Sequence, residues 1–244
     1  MKSARHESRN YIAVKTLFAR IQKPLPVNGE VRYGIGIIRS LPGLGKTVSL
    51  EMVQAESPRR IVITPCDTVM TENSFLQAIM INLGIHDGKQ AGSSFMLRKI
   101  SANIMSQGTN RPIMVFDEIQ ELGYGCRKIW HLIKNLSNLA VVPVVCSGRP
   151  EGIDAVLALN EYNDMAWRTR QRVTLEAVSY RDLEALLADL AEAKYTPEAK
   201  KLLLKRCQGT YGELANDLVE IETQAKRARV ETIEPQHITA WRGV

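Results

Sequence analysis

The chain has 244 residues, of which 45% are hydrophobic and 24% are charged, so its composition is that of a globular protein with one large domain or two small ones. No apolar run approaches bilayer-spanning length, and the start "MKSARHESRN" lacks the apolar stretch of a secretory signal, which argues against a membrane protein and favours the cytoplasm. The net charge of +6 is confined to residues 1–39, where eight basic side chains accompany two acidic ones, and this indicates either a polyanionic partner or a solvated leader.

Strands alternate with helices over the first three quarters of the chain. Residues 10–22 have helical spacing of apolar side chains, and a segment with two prolines and a glycine follows them. Apolar, β-branched segments predict strands at 33–40, 60–67, 112–118, 140–150 and 172–178, and helices are predicted at 47–56, 71–85, 95–108 and 126–139. This order predicts an α/β fold with a parallel sheet of about five strands, covered on both faces.

The character of the sequence changes after residue 176. Ser179 and Asp182 form a capping box ahead of a leucine stripe, and Thr196 with Pro197 begins the next helix. Further helices are predicted at 211–229 and 234–241. We therefore expect an α/β domain over residues 1–176, including the basic N-terminal segment, and a small all-helical domain over residues 177–244.

A glycine-rich segment, "RSLPGLGKTVSL", lies between the first strand and the helix after it. In that context its backbone N–H groups would converge on an anion, Gly43 and Gly45 would let the backbone approach phosphates, and Lys46 would reach the β- and γ-phosphates. Thr47 would offer its hydroxyl to Mg²⁺. Ser40 stands where the usual pattern begins with glycine, so the segment by itself could also be a glycine-rich turn. The expected phosphate-binding residues are Leu41, Pro42, Gly43, Leu44, Gly45, Lys46, Thr47 and Val48.

Two later strands end in side chains that suit the same chemistry. Asp117 and Glu118 end a buried strand, where Asp117 would hold Mg²⁺ and Glu118 would orient or deprotonate an attacking water. Ser147 ends the next strand, at the sheet edge where ligands bind, beside the γ-phosphate. The plainer alternatives are an acidic polar turn at 117–118 and a serine that caps a turn at 147.

A cluster of three arginines precedes and begins the fifth predicted strand. Arg168, Arg170 and Arg172 would share one face of an extended segment. One of them, with Arg168 preferred, could act as an arginine finger that completes the site of a neighbouring subunit. A solvated basic face is the alternative.

The four cysteines are far apart and form no Cys-x-x-Cys pair, and no histidines cluster near them. This spacing argues against both a zinc site and a disulfide framework. We expect buried or incidental thiols at Cys66, Cys126, Cys146 and Cys207.

Taken in this order, the motifs resemble those of the AAA+ ATPases over residues 10 to 242. "LPGLGKT" resembles their Walker A segment, "IMVFDE" their Walker B segment, and the C-terminal helices their lid. Within that group, "FDEIQEL" and "VVCSGRPEGI" are most similar to the transposition regulators, namely the B protein of phage Mu, TnsC and the IstB-like proteins. The resemblance implies ATP and Mg²⁺ as ligands, non-specific binding of duplex DNA, and a homo-oligomeric ring or helical filament. It further implies recruitment of a transposase and disassembly by hydrolysis, in a bacterium or a phage-infected host cell.

The chain departs from this family pattern at several positions. Ser40 replaces the first Walker A glycine, and Gly212 and Glu213 stand near the place of the usual lid arginine. The Mu protein has an N-terminal DNA-binding domain that we do not expect in this chain. DNA would therefore have to bind the ATPase core. Candidate contacts with the DNA backbone are Lys89, Arg98 and Lys99, and a solvated face is their alternative. Two other functions stay open, a helicase loader and a nucleotide-sensing scaffold that hardly hydrolyses ATP.

Overall fold

The computed structural model describes residues 7–27, 30–86, 92–122, 127–158, 169 and 171–242. The chain forms two compact units. The helical unit comprises the described residues within Met1–Ala13, Pro42–Leu50 and Leu175–Val244, and the sheet unit those within Val14–Leu41 and Glu51–Thr174.

The elements of the chain follow in order, first as far as the last strand of the main sheet: α1 (Arg9–Ile21), β1 (Leu25–Val27), β2 (Glu30–Arg32), β3 (Ile35–Arg39), α2 (Lys46–Glu56), β4 (Ile61–Pro65), α3 (Glu72–Leu83), α4 (Ser93–Ser106), β5 (Ile113–Asp117), α5 (Arg127–Leu139), β6 (Val144–Gly148), α6 (Pro150–Leu157) and β7 (Gln171–Thr174). The remaining elements are α7 (Tyr180–Leu190), β8 (Lys194–Tyr195), α8 (Pro197–Arg206), α9 (Tyr211–Ala228), β9 (Thr232–Ile233) and α10 (Pro235–Arg242). Short 3-10 helices occupy Gly108–Asn110 and Ile119–Leu122. Within the described ranges, no helix is long and apolar enough to cross a bilayer.

The sheet unit is built on a five-stranded parallel sheet with the order β4-β5-β6-β3-β7. Each of the five predicted strands is present, and the predicted fold class is confirmed. Strands β5 and β6 are buried at every residue, which explains their continuous apolar sequence. Because all five strands are parallel, their carboxyl ends lie at one edge of the sheet. This edge carries the end of β3, from which the glycine-rich segment departs.

Helices α3, α4 and α5 pack together with one side of this sheet to form its main core. Phe75, Ile79 and Leu83 turn inward from α3, as their spacing predicts, and Phe75 packs against Phe116 of β5 with ring centroids 5.2 Å apart. Thr71 caps α3 and Gly84 ends it in a left-handed conformation. The core therefore supports β5, the strand that delivers Asp117.

The helical unit has its own core, formed by α7, α8, α9 and α10. The capping box of Ser179 and Asp182 is present, and Thr196 caps α8 with Pro197 in its first turn. The unit is not the all-helical one that the sequence predicts, since Lys194–Tyr195 and Thr232–Ile233 form a short parallel strand pair. Buried Glu222 of α9 holds this region, since its carboxylate accepts hydrogen bonds from the Tyr195 hydroxyl and the Glu192 N–H.

Candidate active site

The glycine-rich loop needs its two central glycines for conformational reasons. Gly43 and Gly45 have φ angles of +78° and +82°, in the left-handed region that other residues rarely adopt. Lys46 is the first residue of α2 and is only 8% exposed, and the Ser49 N–H donates to the Gly45 carbonyl at 2.9 Å as the helix begins. A turn of this kind at a helix N-terminus presents backbone N–H groups and partial positive charge to an anion.

Ser40 extends the sheet at the entrance to this loop. Its N–H donates to the Gly148 carbonyl at 3.0 Å and its hydroxyl donates to the Leu41 carbonyl at 2.8 Å. Its backbone is not in the left-handed region, so this position does not need glycine. Leu41, Pro42, Thr47 and Val48 are exposed, and Leu44 is buried.

The buried side chain of Asn10 fixes the loop within the helical unit. Its amide nitrogen donates to the carbonyls of Leu44 at 3.0 Å and Glu176 at 2.8 Å, while its oxygen accepts the Glu176 N–H at 3.0 Å. Sequence reasoning missed Asn10, because one polar residue in an amphipathic helix gives no sign of partners up to 166 positions away.

The start of α9 holds the same loop through its backbone. The N–H groups of Tyr211 and Gly212 donate to the Gly43 carbonyl at 2.8 and 3.2 Å. A Cβ atom on Gly43 would lie 3.0 Å from Cβ of Thr210, the residue that caps α9. The hydrogen bonds between the start of α9 and the loop are therefore made by main-chain groups.

Burial changes the acidity of Tyr211 in this region. Desolvation, together with the nearby negative charge of Asp182, raises the pKa of the Tyr211 hydroxyl to about 12, although the positive charge of Arg9 opposes the shift. Arg9 forms ion pairs with Glu176 at 2.7 Å and Asp182 at 3.3 Å. Part of the N-terminal basic charge is therefore neutralised within the protein.

In the sheet unit, the structure brings Asp117 and Ser147 together at the ends of the neighbouring strands β5 and β6. The Ser147 hydroxyl donates to Asp117 Oδ1, and the Glu118 N–H donates to the same oxygen at 2.9 Å. Ser147 is fully buried and Asp117 is 9% exposed, so this carboxylate is held in a fixed position in a partly desolvated setting. Burial also raises the pKa of the neighbouring Cys146 thiol, with a smaller contribution from Cys66.

Glu118 leaves the strand in an unusual backbone conformation. Its φ angle is +55°, which is uncommon for a residue with a side chain and is often found at functional sites. Its carboxylate accepts a hydrogen bond from the side-chain amide of Gln120. Sequence reasoning did not single out Gln120, although it lies in the quoted segment "FDEIQEL".

The remaining predicted residues are distributed as follows. Arg172 is exposed on the edge strand β7, and its guanidinium donates to the carbonyl and hydroxyl oxygens of Thr169 at 3.0 and 3.3 Å. On α4, Arg98 is exposed and Lys99 is half-buried. Cys66, Cys146 and Cys207 are buried thiols, as expected. Lys89, Cys126, Arg168 and Arg170 lie outside the described residues.

Together these features define a P-loop AAA+ core followed by a C-terminal helical region. The family model described as "AAA domain" matches residues 31–157, just over half of the chain, and the chain belongs to this family. A comparison with curated protein sequences gives no match.

Solved structures share this fold at low sequence identity. The Aeropyrum pernix ORC1 protein in complex with DNA is 17% identical, with a TM-score of 0.65 over 99% of this chain and 66% of that one. Cdc6p from Pyrobaculum aerophilum is 14% identical, with a TM-score of 0.63 over 97% of this chain and 66% of that one. The Thermotoga maritima RuvB Holliday junction branch migration motor is 15% identical, with a TM-score of 0.59 over 96% and 68%. The chain thus spans about two thirds of these similar proteins.

Proposed function

We propose that this protein is an ATP-hydrolysing AAA+ regulator of DNA transposition. In this proposal it binds duplex DNA in the presence of ATP as a homo-oligomeric ring or filament, recruits or activates a transposase, and is disassembled when ATP is hydrolysed. Membership of the AAA domain family and the fold support the nucleotide-dependent part. The similarity of "FDEIQEL" and "VVCSGRPEGI" to transposition regulators supports the choice of process.

The observation that carries the ATPase proposal is the fixed carboxylate at the end of β5. Asp117 accepts the Ser147 hydroxyl at the carboxyl edge of a parallel sheet, and β3, which leads into the glycine-rich loop, pairs with β6 in the same sheet. Ligands of open α/β sheets bind at this edge, where the strand order changes direction. A carboxylate that is 9% exposed suits a cation and its phosphate ligand better than a purely structural turn.

Each site residue has a role that follows from its chemistry. Backbone N–H groups of the loop and the Lys46 ammonium bind the phosphates, while Glu118 orients the attacking water and accepts its proton. The oxygen donors at Asp117 and Thr47 fit Mg²⁺, and Ser147 holds Asp117 in place for that purpose. When bound, Mg²⁺ supplies positive charge that neutralises the phosphate oxygens.

The proposed DNA binding and assembly are supported by the charge of the chain and by the ligands of structurally similar proteins. Two of those structures are an ORC1 protein in complex with DNA and a Drosophila ORC bound to DNA, and a third is an ORC2 protein with ADPNP and ADP. Arg98 is an exposed cation on α4, so it and Lys99 are our candidates for contacts with the phosphate backbone, together with Lys89. For the finger that acts on a neighbouring subunit we retain Arg168, Arg170 and Arg172.

The proposal is tested by measuring ATP turnover with and without duplex DNA, alongside electron microscopy with ATP or ADP. We expect DNA-stimulated turnover and DNA-bound rings or filaments with ATP that are lost with ADP. Glu118→Gln should abolish turnover and retain the DNA-bound assembly, whereas Lys46→Ala should lose both. Tight ATP binding without turnover would favour a nucleotide-sensing scaffold, and a protein that stays off DNA with both nucleotides would refute the proposal.

The transposition step needs its own assay. Strand transfer by a purified transposase of the same mobile element should increase when the wild-type chain and ATP are added, and Lys46→Ala should remove the increase. If ATP-dependent DNA binding is present but strand transfer does not respond, the role in transposition is wrong while the ATPase assignment stands.

A further inference from the structure

The structure assigns to Gln120 the role of a positioning residue that orients the carboxylate of Glu118 and ties it to the turn between β6 and α6. This inference rests on the proposed ATPase function, in which Glu118 acts on the attacking water. It concerns residues of the sheet unit only.

The side-chain amide of Gln120 has partners at both ends. Its nitrogen donates to Glu118 Oε2 and, at 3.2 Å, to Glu121 Oε1, while its oxygen accepts the Arg149 N–H at 2.9 Å. Only one orientation of the amide satisfies two carboxylates on one side and an N–H on the other, so the partners fix which end carries the nitrogen. The amide therefore bridges Glu118 to the main chain just after β6.

Two glycines make room for this bridge. A Cβ atom on Gly148 would collide with the Gln120 side-chain oxygen, and one on Gly152 would collide with the Gln120 Cβ. Neither glycine has a positive φ angle, so neither is required by backbone conformation. Both positions are suited to glycine because Gln120 occupies the space that a side chain at position 148 or 152 would need.

The conformation of Glu118 makes such a support necessary. Its left-handed backbone is strained for a residue with a side chain, and the residue is half-buried rather than fully enclosed. A general base contributes only when it lies within hydrogen-bond reach of the water, and a misplacement of about 1 Å can cost about a hundredfold in rate. A charge-assisted hydrogen bond from a buttressed amide supplies that placement.

The turn that anchors Gln120 is itself connected to the strand before the loop. Asp154 of α6 forms an ion pair with Arg39, the last residue of β3. The Arg149 N–H, the Gly152 position and Asp154 therefore lie on one short segment that contacts both Gln120 and β3. The position of Glu118 thus depends on the start of α6.

The test compares the kinetics of Gln120→Glu with wild type. Glutamate keeps the shape of the side chain and the acceptor for the Arg149 N–H, but it cannot donate to Glu118. We expect kcat to fall about 10- to 100-fold, because the base is misplaced, while KM and the Kd of a fluorescent ATP analogue change less than about twofold.

A matched control and a second variant keep the result interpretable. Gln224 on α9 also donates to a glutamate, Glu220 Oε1, at 3.0 Å, and Gln224→Glu should leave kcat unchanged. Gln120→Met fills the space between the two glycines without polar partners, and it replaces Gln120→Glu in the comparison if the latter unfolds.

The outcomes separate this inference from the function on which it rests. If wild type hydrolyses ATP and both Gln120 variants retain its kcat, or change KM instead, the positioning role is wrong and the ATPase assignment stands. If folded wild type binds ATP and never turns it over, the proposed function fails and the role of Gln120 fails with it.

Discussion

Replacing Gly43 with alanine tests whether the glycine-rich loop is held by the start of α9. The left-handed backbone of Gly43 would cost alanine about 1–2 kcal/mol. The added methyl group would also lie 3.0 Å from Thr210 Cβ and 3.1 Å from its Cγ2, a crowding that typically costs about 1–3 kcal/mol. We therefore expect a total loss of about 2–5 kcal/mol in the free energy of unfolding of the protein.

Gly84→Ala is the matched control for this prediction. Gly84 has a φ angle of +74°, close to that of Gly43, but a Cβ atom there would meet nothing within 4 Å. Gly84→Ala should therefore lower the free energy of unfolding only by the cost of the left-handed backbone, about 1–2 kcal/mol. The difference between the two variants, measured by urea unfolding, isolates the contact with Thr210.

A second substitution sharpens the comparison. Thr210→Ser removes the Cγ2 methyl group and keeps the hydroxyl that caps α9, so it should recover part of the loss in Gly43→Ala and have little effect by itself. Binding of a fluorescent ATP analogue should fall in Gly43→Ala and stay at the wild-type level in Gly84→Ala. Equal destabilisation by Gly43→Ala and Gly84→Ala, with no recovery from Thr210→Ser, would refute the contact.

Three further predictions concern buried polar groups. Ser147→Ala removes a hydrogen bond to the Asp117 carboxylate and should lower the free energy of unfolding, measured in urea, by about 1.5–3 kcal/mol. It should also weaken Mg²⁺-dependent nucleotide binding. Unchanged values in both assays would contradict the coupling between Ser147 and Asp117. Burial raises the pKa of the Cys146 and Cys207 thiols, so both should react slowly with a disulfide reagent at pH 8 until the protein is denatured, and fast reaction in the native state would contradict their burial. Because the pKa of Tyr211 is raised to about 12, the folded state keeps a proton that the unfolded state loses above pH 10, so stability should fall as pH rises from about 10 to 12. Tyr211→Phe should reduce that fall and be nearly neutral at pH 7, since the Tyr211 hydroxyl has no hydrogen-bond partner in the described part of the chain; a large loss at pH 7 would show that it has one.

The sheet was predictable because its strands carry an unambiguous signal. Strands such as Ile113–Asp117 and Val144–Gly148 are short, mainly apolar runs that are buried at every residue. The antiparallel pair of Leu25–Val27 and Glu30–Arg32 was missed because the segment "KPLPVNGE", with two prolines and a glycine, favours a break. The pair of Lys194–Tyr195 and Thr232–Ile233 is too short for any periodicity to emerge.

Some residues of the candidate site could be predicted from the local sequence, whereas others depend on contacts with residues distant in the chain. Lys46 and Asp117 stand beside recognisable local patterns, a glycine-rich turn before a helix and the end of a buried strand. Asn10 and Gln120 owe their roles to carbonyl and N–H partners that are 166 and 29 residues away, and only the fold brings these together. Side chains that bind backbone groups across the fold leave no mark in local spacing.

The two departures from the Walker pattern have separate physical accounts. A glycine at position 40 would be required only by a left-handed backbone or a close neighbour, and Ser40 has neither constraint while its N–H extends the pairing with β6. The lid arginine that the resemblance leads one to expect does not stand at the start of α9, where the N–H groups of Tyr211 and Gly212 donate to the Gly43 carbonyl. Main-chain hydrogen bonds of this kind couple the loop to α9 without adding positive charge. In the proposed function, charge that develops during hydrolysis would therefore be stabilised by Lys46, by Mg²⁺ and by an arginine of a neighbouring subunit.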